Sequence, residues 1–276
     1  MNHAEHGAVP VPTAAQIAQE TPNRAERRAR AIATGVFILA AVYTLHAARG
    51  MTGGMRMPGG WTMPMMWMLM PGQTFLRAAA DFLVMWQAMM IAMMLPSSWP
   101  MLELYTRVAR HMGQKRLMLK TIISGAGYFT VWGLFGLLAF VAGFEISRGV
   151  MSSVQWSRWI PKAAGVSLVL AGVWQLTPLK QACLSHCRDP LLLLSHAYKP
   201  GEWGAFRVGA QHGAYCAVCC WALMLMQMIL GVMNLAVMTA VAAIIALEKM
   251  WKRGPLLARL VGVTSVAGGL LLCWYA

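Results

Sequence analysis

Apolar residues run along this chain in long blocks, not in the alternating or one-sided patterns of a soluble domain. Blocks near 31–49, 78–97, 119–144, 160–178, 206–230, 233–250 and 256–275 are each candidates for a bilayer-crossing helix, which needs roughly 20 apolar residues. Short polar connections separate them. The stretch 62–70 is also apolar, but at about ten residues it is too short to cross. It is expected to lie in the interface or to re-enter the membrane. Ala139 and Gly143, spaced by four, offer a surface on which helices can approach closely. No internal repeat is evident, so an inverted-repeat transporter has no direct support.

Composition agrees with the blocks. Hydrophobic residues make up 58% of the chain and charged residues 12%, with mean hydropathy +0.55; soluble domains carry roughly twice that charged fraction. A net charge of +14 would suit nucleic acid if it formed a basic face or a recognisable motif. Instead the basic residues flank the apolar runs. Seventeen of the 23 fall on the N-terminal tail and on the second-to-third, fourth-to-fifth and sixth-to-seventh connections; six fall on the others. The positive-inside rule then predicts seven spans with the N-terminus inside and the C-terminus outside. The fold expected is an all-α polytopic transmembrane helix bundle in the bacterial inner membrane. Residues 1–30 form a polar cytoplasmic tail, at least partly disordered, and 31–276 a single transmembrane domain. That domain carries a Met-rich outer loop near 50–75 and a Cys/His segment near 178–206 on the cytoplasmic side.

Three groups of residues could carry chemistry. The strongest is His212-Gly-Ala-Tyr-Cys216-Ala-Val-Cys219-Cys220. At about 100° per residue, His212, Cys216, Cys219 and Cys220 fall within an arc of roughly 100° on one helical face. Three thiols and an imidazole on one face suit a thiophilic ion, Cu(I) first and Zn(II) as the alternative; buried cysteines serving as small hydrophobes are the bland reading. The second group precedes this helix. A short helix over 179–188 would put Cys183, His186 and Cys187 on one face at i, i+3 and i+4. Cytosolic reductants would keep these thiols free to bind metal.

The third group is methionine, with 24 residues in the chain. Met51, Met55, Met57, Met63, Met65, Met66, Met68 and Met70 stand between the first two helices. Asp81, Met85, Met89 and Met93 descend the second at i+4 spacing. Thioethers are soft ligands for Cu(I), and they also fill irregular gaps in helix packing. Met63, Met65, Met66 and Met68 are therefore candidate outer copper ligands, with Asp81, Met85, Met89 and Met93 below them. Asp81 is an ionisable group near the end of a span, with an i, i+4 pair to Arg77 as its structural alternative. Glu103, Glu145 and Glu248 stand beside basic residues at helix ends, where structural roles are expected.

Four motifs resemble a family of uncharacterised bacterial polytopic membrane proteins, described as predicted metal-binding and sometimes labelled copper chaperones. They are Trp86-x-x-Met89-Met90-x-Ala92-Met93-Met94-Leu95-Pro96-Ser97, Gln175-Leu-Thr-Pro178-Leu-Lys180, Cys183-Leu-x-His186-Cys187-Arg188, and His212-Gly213-x-Tyr215-Cys216-x-x-Cys219-Cys220-Trp221. The resemblance covers about 80–250. It implies a copper-handling membrane protein, a chaperone or metal-loading factor for a membrane or periplasmic cuproenzyme. Its partners would be the bilayer and that enzyme, with no nucleic acid. Two other classes remain open: an accessory structural subunit of a membrane oxidase or monooxygenase, and a thiol-redox membrane enzyme using Cys216 and Cys219. No nucleotide-binding motif, catalytic triad or zinc-protease motif is visible.

The charge pattern predicts a labelling result. In a variant free of native cysteines, a cysteine placed within 53–60 should react with a membrane-impermeant maleimide in intact cells. One placed at Gln114 should react only after lysis; the reverse pattern would invert the topology.

Overall fold

The computed structural model describes residues 23–50, 54–70 and 72–275. Its helices are α1 (Arg24–Gly50), α2 (Phe75–His111), α3 (Leu117–Ser152), α4 (Val154–Leu176), α5 (Pro178–Arg188), α6 (Pro190–Ala197), α7 (Glu202–Gly231), α8 (Leu235–Met250) and α9 (Gly254–Tyr275). A small antiparallel hairpin, β1 (Gly54–Arg56) with β2 (Thr62–Pro64), lies between α1 and α2, followed by a 3-10 turn, Met65–Trp67. The expected polar tail up to residue 22 and Met51 lie outside the described residues. The basic run from Arg24 to Arg30 forms the first turns of α1.

All seven apolar blocks are helical, but they are not equal as spans. Helices α1, α2, α3, α7 and α9 are long and apolar enough to cross a membrane, and α4 with α5 makes a sixth candidate bent by 63°. Helix α8 has 16 residues, a length of about 24 Å against a hydrocarbon core of roughly 30 Å.

Local chemistry sets the helix ends. The Thr74 hydroxyl accepts the Arg77 N–H at the start of α2, and Asn234 Oδ1 accepts from Ala236 and Val237 at the start of α8. Thr177 and Pro178 together start α5: the hydroxyl accepts the Lys180 N–H and proline fills the first turn. One boundary differs from expectation. The second apolar block was expected to end near 97, yet α2 runs through Pro96 and Pro100 to His111. Ser97 and Ser98 hydroxyls bond the Met94 and Leu95 carbonyls in that turn, and neighbouring helices hold the segment as in other proline-containing spans.

Between apolar helices in lipid, close packing replaces the hydrophobic effect as the force for association. Two pairs achieve it through glycine. Helices α3 and α7 run parallel: a Cβ on Gly213 would lie 2.8 Å from the Tyr128 carbonyl, and one on Gly209 would overlap the Ser124 carbonyl. Helices α4 and α9 run antiparallel, with Gly165 against Gly269 and Gly172 against Gly262. Gly143, expected to bring helices together, instead seats the Trp67 indole of the loop after the hairpin. The Ser147 hydroxyl fixes that loop by donating to the Trp67 carbonyl at 2.8 Å. Trp61 Nε1 ties the hairpin to the start of α4 through the Ser157 carbonyl at 3.0 Å.

The interior divides into two clusters. The larger joins Phe82, Trp86, Met89, Met90, Met93 and Met94 of α2 to Tyr128 and Trp132 of α3 and the cysteines of α7. The smaller packs Met101, Tyr105 and Val108 against Leu193 and Leu194 of α6 and Val208 of α7. At that end Glu26, buried in α1, pairs with Arg110 at 2.8 Å, and Glu103 pairs with Arg30 and Arg107. Exposed Trp156 and Trp159 open α4 and exposed Trp274 and Tyr275 close α9. Because these helices are antiparallel, the four rings share one end of the bundle, as an interfacial aromatic belt requires.

The α3–α7 contact predicts a sharp asymmetry. Gly209→Ala should lower the thermal stability of the detergent-solubilised protein by about 3 kcal/mol, a strong overpacking effect. Gly149→Ala, where a Cβ meets nothing within 4 Å, should be nearly neutral.

Candidate metal centre

Helix α7 presents Cys216, Cys219 and Cys220 toward the interior because they lie on the face that packs against α3, α5 and α8. All three are buried, and their sulfurs lie within 4.8 Å of one another. Cys219 Sγ is 3.3 Å from Cys220 Sγ. The expected short helix before α7 is α5, and it folds back onto this face. Its Cys187 Sγ stands 3.8 Å from Cys219 Sγ. Three sulfurs each about 2.3 Å from a common ion are separated by roughly 4 Å, so these spacings match what a thiolate-bound ion requires.

The other expected members of the group lie at its edge. Cys183 packs partly buried against the same cluster. His186 turns away: its ring stacks on Tyr215 at 4.6 Å and its Nδ1 faces the Ala182 carbonyl at 2.9 Å. His212 is buried, stacked on Tyr128 at 5.3 Å between centroids, and neither ring nitrogen has a hydrogen-bond partner. An orphaned buried imidazole calls for an explanation. A metal ion or water one helical turn below Cys216 is one.

Two lysines enclose the thiols. Lys249, at the last turn of α8, is buried with Nζ 2.9 Å from Cys216 Sγ and 3.3 Å from Ser97 Oγ. The Tyr128 hydroxyl meets the same sulfur at 2.9 Å. Lys180 of α5 is fully buried. Its Nζ donates to the Cys219 carbonyl and to Glu248 Oε2, both at 2.7 Å, and Gln175 Nε2 donates to Glu248 Oε1 at 3.4 Å. Arg188 fastens the other end of α5, donating to the Glu248 and Trp251 carbonyls at 2.7 Å.

The sequence pattern of a family described as PpoB2 copper chaperone matches residues 83–272. The chain belongs to the PpoB2 copper chaperone family. No curated protein and no solved structure matches it. The matched stretch contains every residue of the centre just described. It leaves out α1, the hairpin and the 3-10 turn.

The methionines fall into two environments. Met85, Met89 and Met93 are buried in the same cluster as the thiols, and Met89 Sδ accepts a hydrogen bond from Gln227 Nε2 at 3.4 Å. Met63 is buried under the hairpin, while Met66 and Met68 line a cavity at the hairpin end with Met85 and Asp81. The Met65 side chain is outside the described residues. Asp81 is exposed, accepts from Gln73 Nε2 at 3.0 Å and lies 4.0 Å from Arg77, its expected i, i+4 partner.

What the residue patterns missed in this PpoB2 family member was charge. Lys180 and Lys249 read as loop residues on the basic side, and Glu248 as a helix-end residue. The structure buries all three: Lys180 and Lys249 border the cysteines, and Glu248 pairs with Lys180. A signal was available: Gln175, Thr177, Pro178 and Lys180 all belong to one motif, and each now has a task in placing or pairing Lys180.

A buried ion pair resists loss of one partner far more than loss of both. Glu248→Gln should cost about 3–5 kcal/mol of stability by stranding the Lys180 ammonium. The double variant Lys180→Met/Glu248→Leu should recover most of that. Thermal unfolding in detergent measures both.

Proposed function

We propose that this protein is a multi-pass copper chaperone of the bacterial cytoplasmic membrane. It holds Cu(I) as cargo on Cys216, Cys219, Cys220 and Cys187, and passes it to a cuproenzyme of the membrane or periplasm. The observation that carries the reading is three buried α7 sulfurs within 4.8 Å of one another, with the Cys187 sulfur of α5 3.8 Å from that of Cys219, inside a member of a copper chaperone family. Soft thiolates without a carboxylate among them favour Cu(I) over hard cations. Zn(II) has the same appetite for thiolate, and membership of a copper chaperone family favours Cu(I) between them. The Lys249 ammonium supplies positive charge that offsets thiolates in a buried setting. His212 stands ready as a nitrogen ligand.

The arrangement also suits an ion that must leave again. Cys216, Cys219 and Cys220 are buried, whereas Cys187 and Cys183 are partly exposed. Cu(I) can therefore pass between the core and the α5 thiols by ligand exchange, with no change of oxidation state. Seven spans, N-in and C-out, complete the proposal. The parallel α3–α7 and antiparallel α4–α9 pairs agree with that alternation. Helix α8, short for a span, ends where α5 folds in beneath it.

The 3.8 Å Cys187–Cys219 separation also admits a dithiol enzyme, and one experiment separates the readings. Protein purified under reductant and offered Cu(I) anaerobically should develop thiolate-to-copper charge-transfer absorption and keep its ion through gel filtration. Cys216→Ser/Cys219→Ser/Cys220→Ser should abolish the charge-transfer absorption. A parent that binds no copper but cycles a Cys187–Cys219 disulfide would establish the redox enzyme. One that does neither would favour the accessory subunit.

A further inference from the structure

At the end of the bundle opposite α5, a cavity of about 840 Å³ opens among the end of α1, the hairpin, the start of α2 and the α7–α8 turn. Among the described residues its walls include Met66, Met68, Met70, Met85 and Met233. Methionine is 24 of the 276 residues of the chain but five of the 21 described residues that line this space. Packing explains methionines such as Met90 and Met94, which are completely enclosed. It does not explain residues that wall an open volume, where methionines from three separate segments line a common space.

We infer that this cavity is a second, thioether site for a soft monovalent metal ion, distinct from the thiol centre and feeding it. The inference rests on the copper-handling reading and extends it. Met70 and Met233 come from the segment before α2 and from the α7–α8 turn, and Met85 forms the floor. Thioethers bind Cu(I) without losing a proton, so such a site works in an oxidising compartment where thiols would be lost. Asp81 stands at the rim, its carboxylate held by Gln73.

The floor of the cavity continues into the bundle. From Met85, buried Met89 and Met93 follow at one-turn intervals of about 6 Å. Ser97 then meets Lys249, which contacts Cys216. The distance along α2 from Met85 to Ser97 is about 18 Å, so thioethers occupy the interval between the two sites. A cation moving between them would pass the buried thioethers of Met89 and Met93.

The test uses Ag(I), a redox-inert soft monovalent ion, with methyl-¹³C-methionine in the full chain. In a variant with all six cysteines replaced by serine, methyl resonances of Met66, Met68, Met70, Met85 and Met233 should shift on adding Ag(I). Leu at these five positions should weaken Ag(I) binding about tenfold or more. If the cysteine-free variant does not fold, the titration is made on the parent. The thiols then fill first, and the same five resonances should shift with the next equivalent. Unmoved methionine resonances, or binding unchanged by the Leu variant, overturn the inference. Loss of the thiolate copper band, with these shifts intact, would instead remove the thiol reading and leave the cavity site standing.

Discussion

The Lys180–Glu248 ion pair is the contact on which the rest of this structure depends. Two opposite charges lie buried at 2.7 Å in an apolar bundle, a placement that is tolerable only with good geometry and full hydrogen bonding. The pair meets those terms by drawing in Gln175 and the Cys219 carbonyl. In doing so it fixes α5 against α7 and α8. That anchoring carries Cys187 to the α7 thiols and sets Lys249, the next residue along α8, against Cys216. The 63° bend between α4 and α5 has the same origin: Thr177 and Pro178 end one helix and start the next, so that Lys180 points inward.

Seen this way, the motifs that carried the family resemblance have a common address. Trp86 lodges against Gly136 and donates to the Trp132 carbonyl at 2.9 Å, orienting the methionine face of α2. Tyr215 holds His186 by ring stacking, and Arg188 clasps the carbonyls at the end of α8. Gly213 lets α3 approach until Tyr128 reaches Cys216.

The apolar blocks made the helices legible in the sequence, since a bilayer-length run has few alternative structures. The short helix over 179–188 entered only as the condition under which Cys183, His186 and Cys187 share a face, and its Thr-Pro start went unread. The three-dimensional meeting of Cys187 with Cys219 could not be read from either motif, because nothing local dictates how a connection folds back. The lysines escaped notice for a physical reason. Counting charges by loop assumes that each Lys lies in water, and two of them sit in the core because a carboxylate or a thiol meets them there. The methionine cavity was half visible: loop thioethers could be named, but Met233 arrives from a turn about 150 residues away in sequence.

The central claim is that thiolates of α5 and α7 hold copper as one site. Copper-edge X-ray absorption of the protein loaded with one equivalent of Cu(I) tests it most directly. In a background with Leu at the five cavity methionines, the account predicts two or three sulfur neighbours near about 2.3 Å and loss of that shell on adding Cys216→Ser/Cys219→Ser. A shell of nitrogen and oxygen alone, or a sulfur shell unchanged by those substitutions, would contradict it.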